Sequence, residues 1–202
     1  MGHSPGRRRK THIMSSMHNV NFIPQHNEDT CWFACMKMLA GYELSRGTAR
    51  DPVRLKRFMN LTLEDLASAG MDGAAGDDVI RLQAGLIGMH IEPFAPTYTE
   101  GSAFLGTGGE ALGGMDLRMI TMENLLNHKP FGLPCRVPAG SRARLHVIVI
   151  RGYADEDDSG PEPMHYWYLD PAADPVAARA SALPYERLIQ EYIPDGGYVF
   201  TY

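Results

Sequence analysis

Apolar residues recur at helical intervals through the first half of the chain. The clearest case is the segment from Asp29 to Tyr42 (DTCWFACMKMLAGY), whose spacing predicts a helix. Asp29 or Thr30 is a suitable N-cap, and Gly41 lies near the expected end. Three shorter helices are predicted to follow, at Thr62 to Ala69, Asp77 to Leu86 and Met122 to His128.

The pattern changes after Pro130, where β-branched and aromatic runs are divided by turn residues. These runs predict strands at Phe131 to Val137, Leu145 to Tyr153, His165 to Leu169 and Tyr198 to Tyr202. The segment Leu145 to Ile150 is apolar at every position but His146, which indicates a strand that is buried on both faces. Only Tyr185 to Tyr192 looks helical among the strands. The pattern therefore predicts an α+β fold, helical first and then a sheet.

Two connections are rich in turn residues. Gly101 to Gly114 (GSAFLGTGGEALGG) is predicted to be a mobile loop, either a flap over a cleft or a plain surface loop. It lacks the Lys-Ser/Thr pair of a phosphate-binding loop. Asp155 to Pro163 is predicted to be a solvated hairpin connection. Its acids do not form a calcium loop, because Pro161 interrupts them and Tyr166 stands where the final Glu belongs.

The composition is typical of one globular domain. Of 202 residues, 44% are hydrophobic and 21% charged, and no apolar run reaches the roughly 18 residues of a membrane span. The formal net charge is −5, even though residues 7–10 supply four positive charges. An acidic body argues against a nucleic-acid partner, because phosphate binding uses clustered Lys and Arg. We therefore expect a disordered tail at residues 1–17 and one domain at residues 18–202.

The start of the chain and its cysteines bear on where the protein works. No apolar core follows the basic residues near the start, so a Sec signal peptide is not predicted. We expect a protein that is cytoplasmic in the producing cell or exported by a signal-independent route. Three cysteines, an odd number, do not predict a disulfide framework. The sequence has no CxxC, HExxH or Cys/His cluster, so we expect no metal and no other cofactor.

A candidate nucleophile opens the first predicted helix. In QHNEDTCW, Gln25 precedes Cys31 by six positions. The N-terminus of a helix offers unpaired N–H groups and about half a positive charge, which together stabilise a thiolate. The N–H of Cys31 and the side-chain NH2 of Gln25 can form a two-donor oxyanion hole.

A thiolate nucleophile needs a base, and the base needs an acceptor that fixes its orientation. His146 begins the doubly buried strand, and Asp170 ends a later strand in YWYLDP. Neighbouring antiparallel strands would bring these two positions side by side. The candidate triad is therefore Cys31, His146 and Asp170.

Other residues are weaker candidates. Cys35 lies one helical turn after Cys31, where packing is its expected role. His165 is the rival base, but it stands within an aromatic run and no acceptor follows it at a strand end. His26 and Trp32 are weak candidates for lining the cleft. The alternatives are a solvated loop histidine and a tryptophan in the core.

Several of these features resemble the papain-like cysteine peptidases, and most closely their compact bacterial branch. The similar segments are FIPQHNEDTCWFACMKMLAGY, the late strand HVIVIRGY and the closing LDP. The resemblance implies that Gln25 is the oxyanion-hole glutamine, Cys31 the nucleophile, His146 the general base and acid, and Asp170 the orienting residue. The chain departs from the plant enzymes in lacking Cys-Gly-Ser before the nucleophile and in using Asp instead of Asn. The middle, Glu43 to Asn127, carries no resemblance.

The resemblance implies a papain-like α+β fold in which a helical lobe packs against an antiparallel sheet, with the active-site cleft between them. It implies a cysteine protease that hydrolyses a protein or peptide substrate through a thioester. Several similar compact proteins are bacterial effectors or toxins, which would add an inhibitory or immunity protein as a partner. The same triad also serves deamidation, transglutamination and peptidoglycan amide cleavage, and sequence does not separate these. The alternative from another class is a catalytically silent peptide-binding module.

Overall fold

The computed structural model describes residues 15–71, 76–95, 115–116, 129–139, 142–154, 165–179, 181–194 and 197–202. Within these ranges the chain has an α+β fold, with helices first and a mainly antiparallel sheet afterwards, which confirms the predicted class. Residues 1–14, the helix predicted at 122–128, and the connections predicted at 101–114 and 155–163 lie outside the described residues. No helix in the described part of the chain is long and apolar enough to cross a membrane.

The first helix, α1 (Cys31–Arg46), begins at Cys31 directly after Thr30. The predicted end near Gly41 is wrong, because the helix continues for more than a turn beyond it. A glycine inside a helix costs only about 1 kcal/mol relative to Ala, and packing on both sides outweighs that cost. The helix ends where Gly47 adopts a left-handed conformation, with φ 69°, and donates its N–H to the carbonyls of Glu43 and Leu44.

The other helices are short, and local capping defines the first of them. Helix α2 (Pro52–Met59) was not predicted, although Asp51 caps it and Pro52 occupies its first position. Helix α3 (Leu63–Ser68) opens with a capping box between Thr62 and Asp65, as the predicted start requires. The remaining described helices are α4 (Asp77–Leu86), α5 (Pro175–Arg179) and α6 (Tyr185–Glu191).

The described strands join into one sheet. They are β1 (Ser15–Met17), β2 (His90–Ala95), β3 (Met115–Asp116), β4 (Phe131–Ala139), β5 (Arg142–Ala154), β6 (His165–Leu169), β7 (Ala182–Pro184), β8 (Ile193–Pro194) and β9 (Tyr198–Thr201). The order is β3-β2-β9-β4-β5-β6-β7, with β1 also paired to β5 and β8 to β4. All pairs are antiparallel except β2 with β3. The sequence did not predict β2, and Ser15–Met17, assigned to the tail, belong to the sheet.

Strand β5 is buried on both faces, as its sequence predicts. Val147 and Val149 belong to the core cluster formed with α1, whereas Ile148 and Ile150 belong to a second cluster on the other face. The thiol of Cys35 on α1 donates to the carbonyl oxygen of Val147 at 3.2 Å. Helix α1 is therefore fixed against the strand that carries His146.

Candidate active site

A tight turn places Cys31 at the start of α1. The Thr30 hydroxyl accepts hydrogen bonds from the backbone N–H groups of His26 and Asn27, each at 3.2 Å, and donates to the Asn27 carbonyl at 3.2 Å. The Asn27 side chain in turn accepts from the N–H of Asp29 at 3.0 Å. These bonds close the loop on itself and fix the residue at which the helix begins. Cys31 is a free thiol and is 4% exposed.

Antiparallel pairing brings His146 and Asp170 together. Leu169, the last residue of β6, pairs with Val149 of β5, so Asp170 lies at the strand end beside His146. His146 Nε2 lies 2.7 Å from Asp170 Oδ1. Both side chains are largely buried, with 9% and 16% of their surface exposed. The contact that the sequence predicts between these two residues is present in the structure.

Asp170 is held as a carboxylate by several donors. Besides His146, the backbone N–H of Ala172 donates to Oδ1 at 2.8 Å, and the Tyr192 hydroxyl donates to Oδ2 at 2.8 Å. Burial by itself raises the pKa of Asp170, but these hydrogen bonds and the charge of His146 outweigh it, so the pKa lies below its usual value. Asp170 therefore supplies a fixed negative charge beside His146.

His146 hydrogen bonds to Asp170, and Cys31 acts on its pKa. Burial lowers its pKa, yet hydrogen bonds to Asp170 and Cys31, together with their charges, raise it to about 9. Because Nε2 is engaged by Asp170, Nδ1 is the ring nitrogen left for the sulfur of Cys31. The imidazole is thus held as an imidazolium between a carboxylate and a thiol, the arrangement that a thiolate–imidazolium pair requires.

Tyr192 belongs to the site, and the sequence did not reveal it. Its ring stacks on His146, with centroids 6.5 Å apart and an interplanar angle of 24°, while its hydroxyl donates to Asp170. Burial first, and then the charge of Asp170, raise the pKa of this phenol well above its usual value, so it remains a donor. The only sequence signal is a tyrosine directly after a short helix, since a buried tyrosine hydroxyl needs a partner.

Gln25 is tied to the same region by its backbone. Its N–H donates to the carbonyl of Pro171, the residue after Asp170, at 2.9 Å. An ion pair between Glu28 and Arg144 also links this loop to β5. The side chain of Gln25 is half-buried, and its carboxamide oxygen has no hydrogen-bond partner among the described residues. The carboxamide is therefore not occupied by the protein's own groups.

The weaker candidates separate into distinct places. Trp32 is 1% exposed and packs against Phe33, which favours the alternative of a tryptophan in the core. His26 is exposed in the turn before α1. Cys35 is fully buried, which confirms packing, and burial raises the pKa of its thiol well above the usual value.

The rival base His165 lies away from the triad. It is the first residue of β6 and pairs with Ala154 and Pro184, whereas Asp170 follows the last residue of that strand. Five positions of extended chain place the two about 16 Å apart along the strand. His146 is therefore the histidine that the fold brings to Asp170.

Metal ligation has no support in the described part of the chain. No group of three or more His, Cys, Asp or Glu side chains there is arranged to hold an ion. The described site instead brings an imidazole and a carboxylate together, with a thiol at the start of α1 and Gln25 tied by its backbone to the residue after Asp170. This set of groups is suited to nucleophilic catalysis at a carbonyl carbon.

The comparisons with known proteins identify no family. No family model matches the chain, and no curated protein matches it at a significant level. The inference of function therefore depends on the geometry of the site.

Proposed function

We propose that the protein is a papain-like cysteine protease whose triad is Cys31, His146 and Asp170. The observation that carries this proposal is His146, which hydrogen bonds to Asp170 at 2.7 Å and whose pKa is raised by its interactions with both Asp170 and Cys31. Cys31 and His146 come from opposite halves of the chain. A histidine between a carboxylate and a thiol can transfer protons in catalysis.

The architecture is compatible with a papain-like domain. A helix that opens with the nucleophile packs against an antiparallel sheet, and the base and its acceptor lie on neighbouring strands of that sheet. The contact of Cys35 with Val147 joins the two parts next to the site. Gln25 is tethered beside Asp170, close to where an oxyanion donor is needed.

The first half of the proposed reaction forms a thioester. The Cys31 thiolate attacks the carbonyl carbon of a peptide bond, and the new oxyanion is bound by the Cys31 N–H and the Gln25 side-chain NH2. The imidazolium of His146 then gives its proton to the departing nitrogen as the carbon–nitrogen bond breaks. The products are a free amine and an acyl group on Cys31, with His146 left neutral.

The second half hydrolyses the thioester. Neutral His146 removes a proton from water, and the resulting hydroxide attacks the acyl carbon through a second oxyanion at the same donors. The carbon–sulfur bond breaks, which releases the acid and restores the thiolate and the imidazolium. Asp170 keeps its charge throughout and stabilises the imidazolium, while Tyr192 holds the second oxygen of Asp170.

The test is to incubate the protein with a complex peptide mixture and to identify new chain ends by mass spectrometry. We expect new amino termini with the wild type and none with Cys31→Ala or His146→Ala. Cys35→Ala is the matched control, because it removes a thiol from the same helix without touching the triad. Circular dichroism checks that each variant is folded.

The same spectra separate the other reactions that this triad can perform. Glutamine converted to glutamate without cleavage indicates deamidation, and new cross-links indicate transglutamination. If the peptide mixture gives identical mass spectra after incubation with the wild type and with Cys31→Ala, catalysis by Cys31 is contradicted. Peptide binding by both proteins would then favour a peptide-binding module.

A further inference from the structure

A cavity of about 650 Å³ lies at the other end of α1. Glu43 lines it, twelve positions after Cys31 on the same helix, so the cavity is about 18 Å from the nucleophile along the axis. Its volume is within the range of small-ligand sites. The proposed chemistry at Cys31 does not use this cavity.

The floor of the cavity contains a buried carboxylate with few partners. Glu43 is 7% exposed, and among the described residues its carboxylate accepts only one hydrogen bond, from the Thr48 hydroxyl at 2.5 Å, with the charge of Arg46 also nearby. A carboxylate has about four acceptor positions, and a buried charge is costly unless it is paired. The hydroxyl of Tyr202, which also lines the cavity, is buried with no hydrogen-bond partner. The floor is thus suited to a ligand that brings a positive donor group.

The rim has the opposite character. Four cationic side chains line the cavity in a chain whose formal net charge is −5: Arg46, Arg50, Arg54 and Lys129. Arg46 donates to the hydroxyl of Tyr42, and Arg54 pairs with Asp51 at 3.4 Å. Within the described residues, Arg50 and Lys129 make no hydrogen bond or ion pair. These two cations are available to an anionic group.

Apolar side chains form the rest of the floor. Leu55, Ile87 and Met89 line the cavity and are each at most 7% exposed. A ligand with an aliphatic part would therefore displace water from an apolar surface.

We propose that this cavity binds a small zwitterion of the amino acid or short peptide class. Its protonated amine would pair with the Glu43 carboxylate, its carboxylate with Arg50 and Lys129, and its aliphatic side chain with Leu55. Charges of opposite sign on the floor and the rim of one cavity favour a ligand that carries both. The proposal stands independently of the triad.

The test is calorimetric titration of the full chain with the dipeptide Gly-Leu. N-acetyl-Gly-Leu lacks the amine charge, and Gly-Leu amide lacks the carboxylate. We expect Gly-Leu to bind with a Kd of about 1 mM or tighter and each blocked form to bind at least about tenfold more weakly. Arg50→Gln should reduce the discrimination against the amide, and Arg50→Gln combined with Lys129→Gln should abolish it, whereas Arg57→Gln, an exposed residue of α2 outside the cavity, should change nothing. Glu43→Gln should likewise abolish the discrimination against the acetylated form.

The titration is repeated with Cys31→Ala so that no turnover contributes to the heat, and weaker binding by Arg50→Gln separates this cavity from the active-site cleft. Because Glu43 is buried, its variant is checked for folding, and the exposed Arg50 variant decides the matter if Glu43→Gln is unfolded. No binding by wild type, equal binding of the blocked and free forms, or an unchanged Kd in Arg50→Gln would overturn the proposal.

Discussion

At the scale of single residues, the charge state of His146 governs the site. Asp170 is kept anionic by donors on both oxygens, and against the lowering effect of burial its interaction with His146, together with that of Cys31, raises the His146 pKa to about 9. An imidazolium beside Cys31 stabilises a thiolate. The sequence identified all three residues of the candidate triad, because each has a local signature at a helix start or a strand end.

Asp170→Asn should lower the pKa of His146, because it removes the negative charge that stabilises the imidazolium. In the wild type, activity should fall as the pH rises through about 9, where His146 loses its proton. In the variant this alkaline limit should move toward the ordinary histidine value of about 6.5, and kcat/KM should fall by about 100-fold or more. The measurement is kcat/KM against pH, with Asp78→Asn, an exposed residue of α4, as control. An unchanged alkaline limit would contradict the role of Asp170.

Tyr192→Phe should raise the pKa of Asp170, because it removes a hydrogen bond to Oδ2 and keeps the stacked ring. The acid limit of activity should therefore move to higher pH. The free energy of unfolding should fall by about 1 to 2 kcal/mol, since the buried carboxylate loses a donor.

Tyr192→Leu separates the two contacts of this residue, because it removes the ring as well as the hydroxyl. It should reduce kcat further than Tyr192→Phe does. A pH profile of Tyr192→Phe identical to that of the wild type would show that the hydroxyl only fills space.

At the scale of elements, the sequence predicted α1, α3, α4 and the strands that carry the triad, because each has a strong period or cap. It missed α2, whose eight residues are too few to establish a period, and β2, which contains a proline. It also misplaced the end of α1. That error came from treating Gly41 as a stop signal, when the left-handed position that a C-terminal glycine serves is at Gly47.

The two glycines of α1 should respond to alanine in opposite directions. At Gly41 a new Cβ would lie 3.5 Å from Met59 Cε, an ordinary contact, and alanine favours a helix by about 0.5 to 1 kcal/mol. Gly41→Ala should therefore raise the free energy of unfolding. At Gly47, with φ 69°, alanine is strained and should lower it by about 1 kcal/mol. Urea denaturation of both variants measures the two free energies of unfolding. Equal changes in Gly41→Ala and Gly47→Ala would show that the helix does not end at Gly47.

At the scale of the whole molecule, the site is assembled from distant parts of the chain. Cys31 and His146 are 115 positions apart, and the antiparallel pairing of β5 with β6 brings Asp170 to His146. The order of the predicted strands was enough to predict that His146 and Asp170 lie close together, because the start of one antiparallel strand lies beside the end of its neighbour. Tyr192 and the cavity beside Glu43 could not be predicted, because each depends on side chains whose proximity has no local pattern.

The central claim is that Cys31 is an activated nucleophile paired with His146. The most direct test is iodoacetamide labelling of the folded protein against pH, with the modified cysteine located by peptide mass spectrometry. We predict selective labelling of Cys31 near about pH 6, where an ordinary thiol is almost entirely protonated, and loss of this labelling in His146→Ala. Cys31 that stays unmodified until denaturant is added, or that reacts equally well in His146→Ala, would contradict the account.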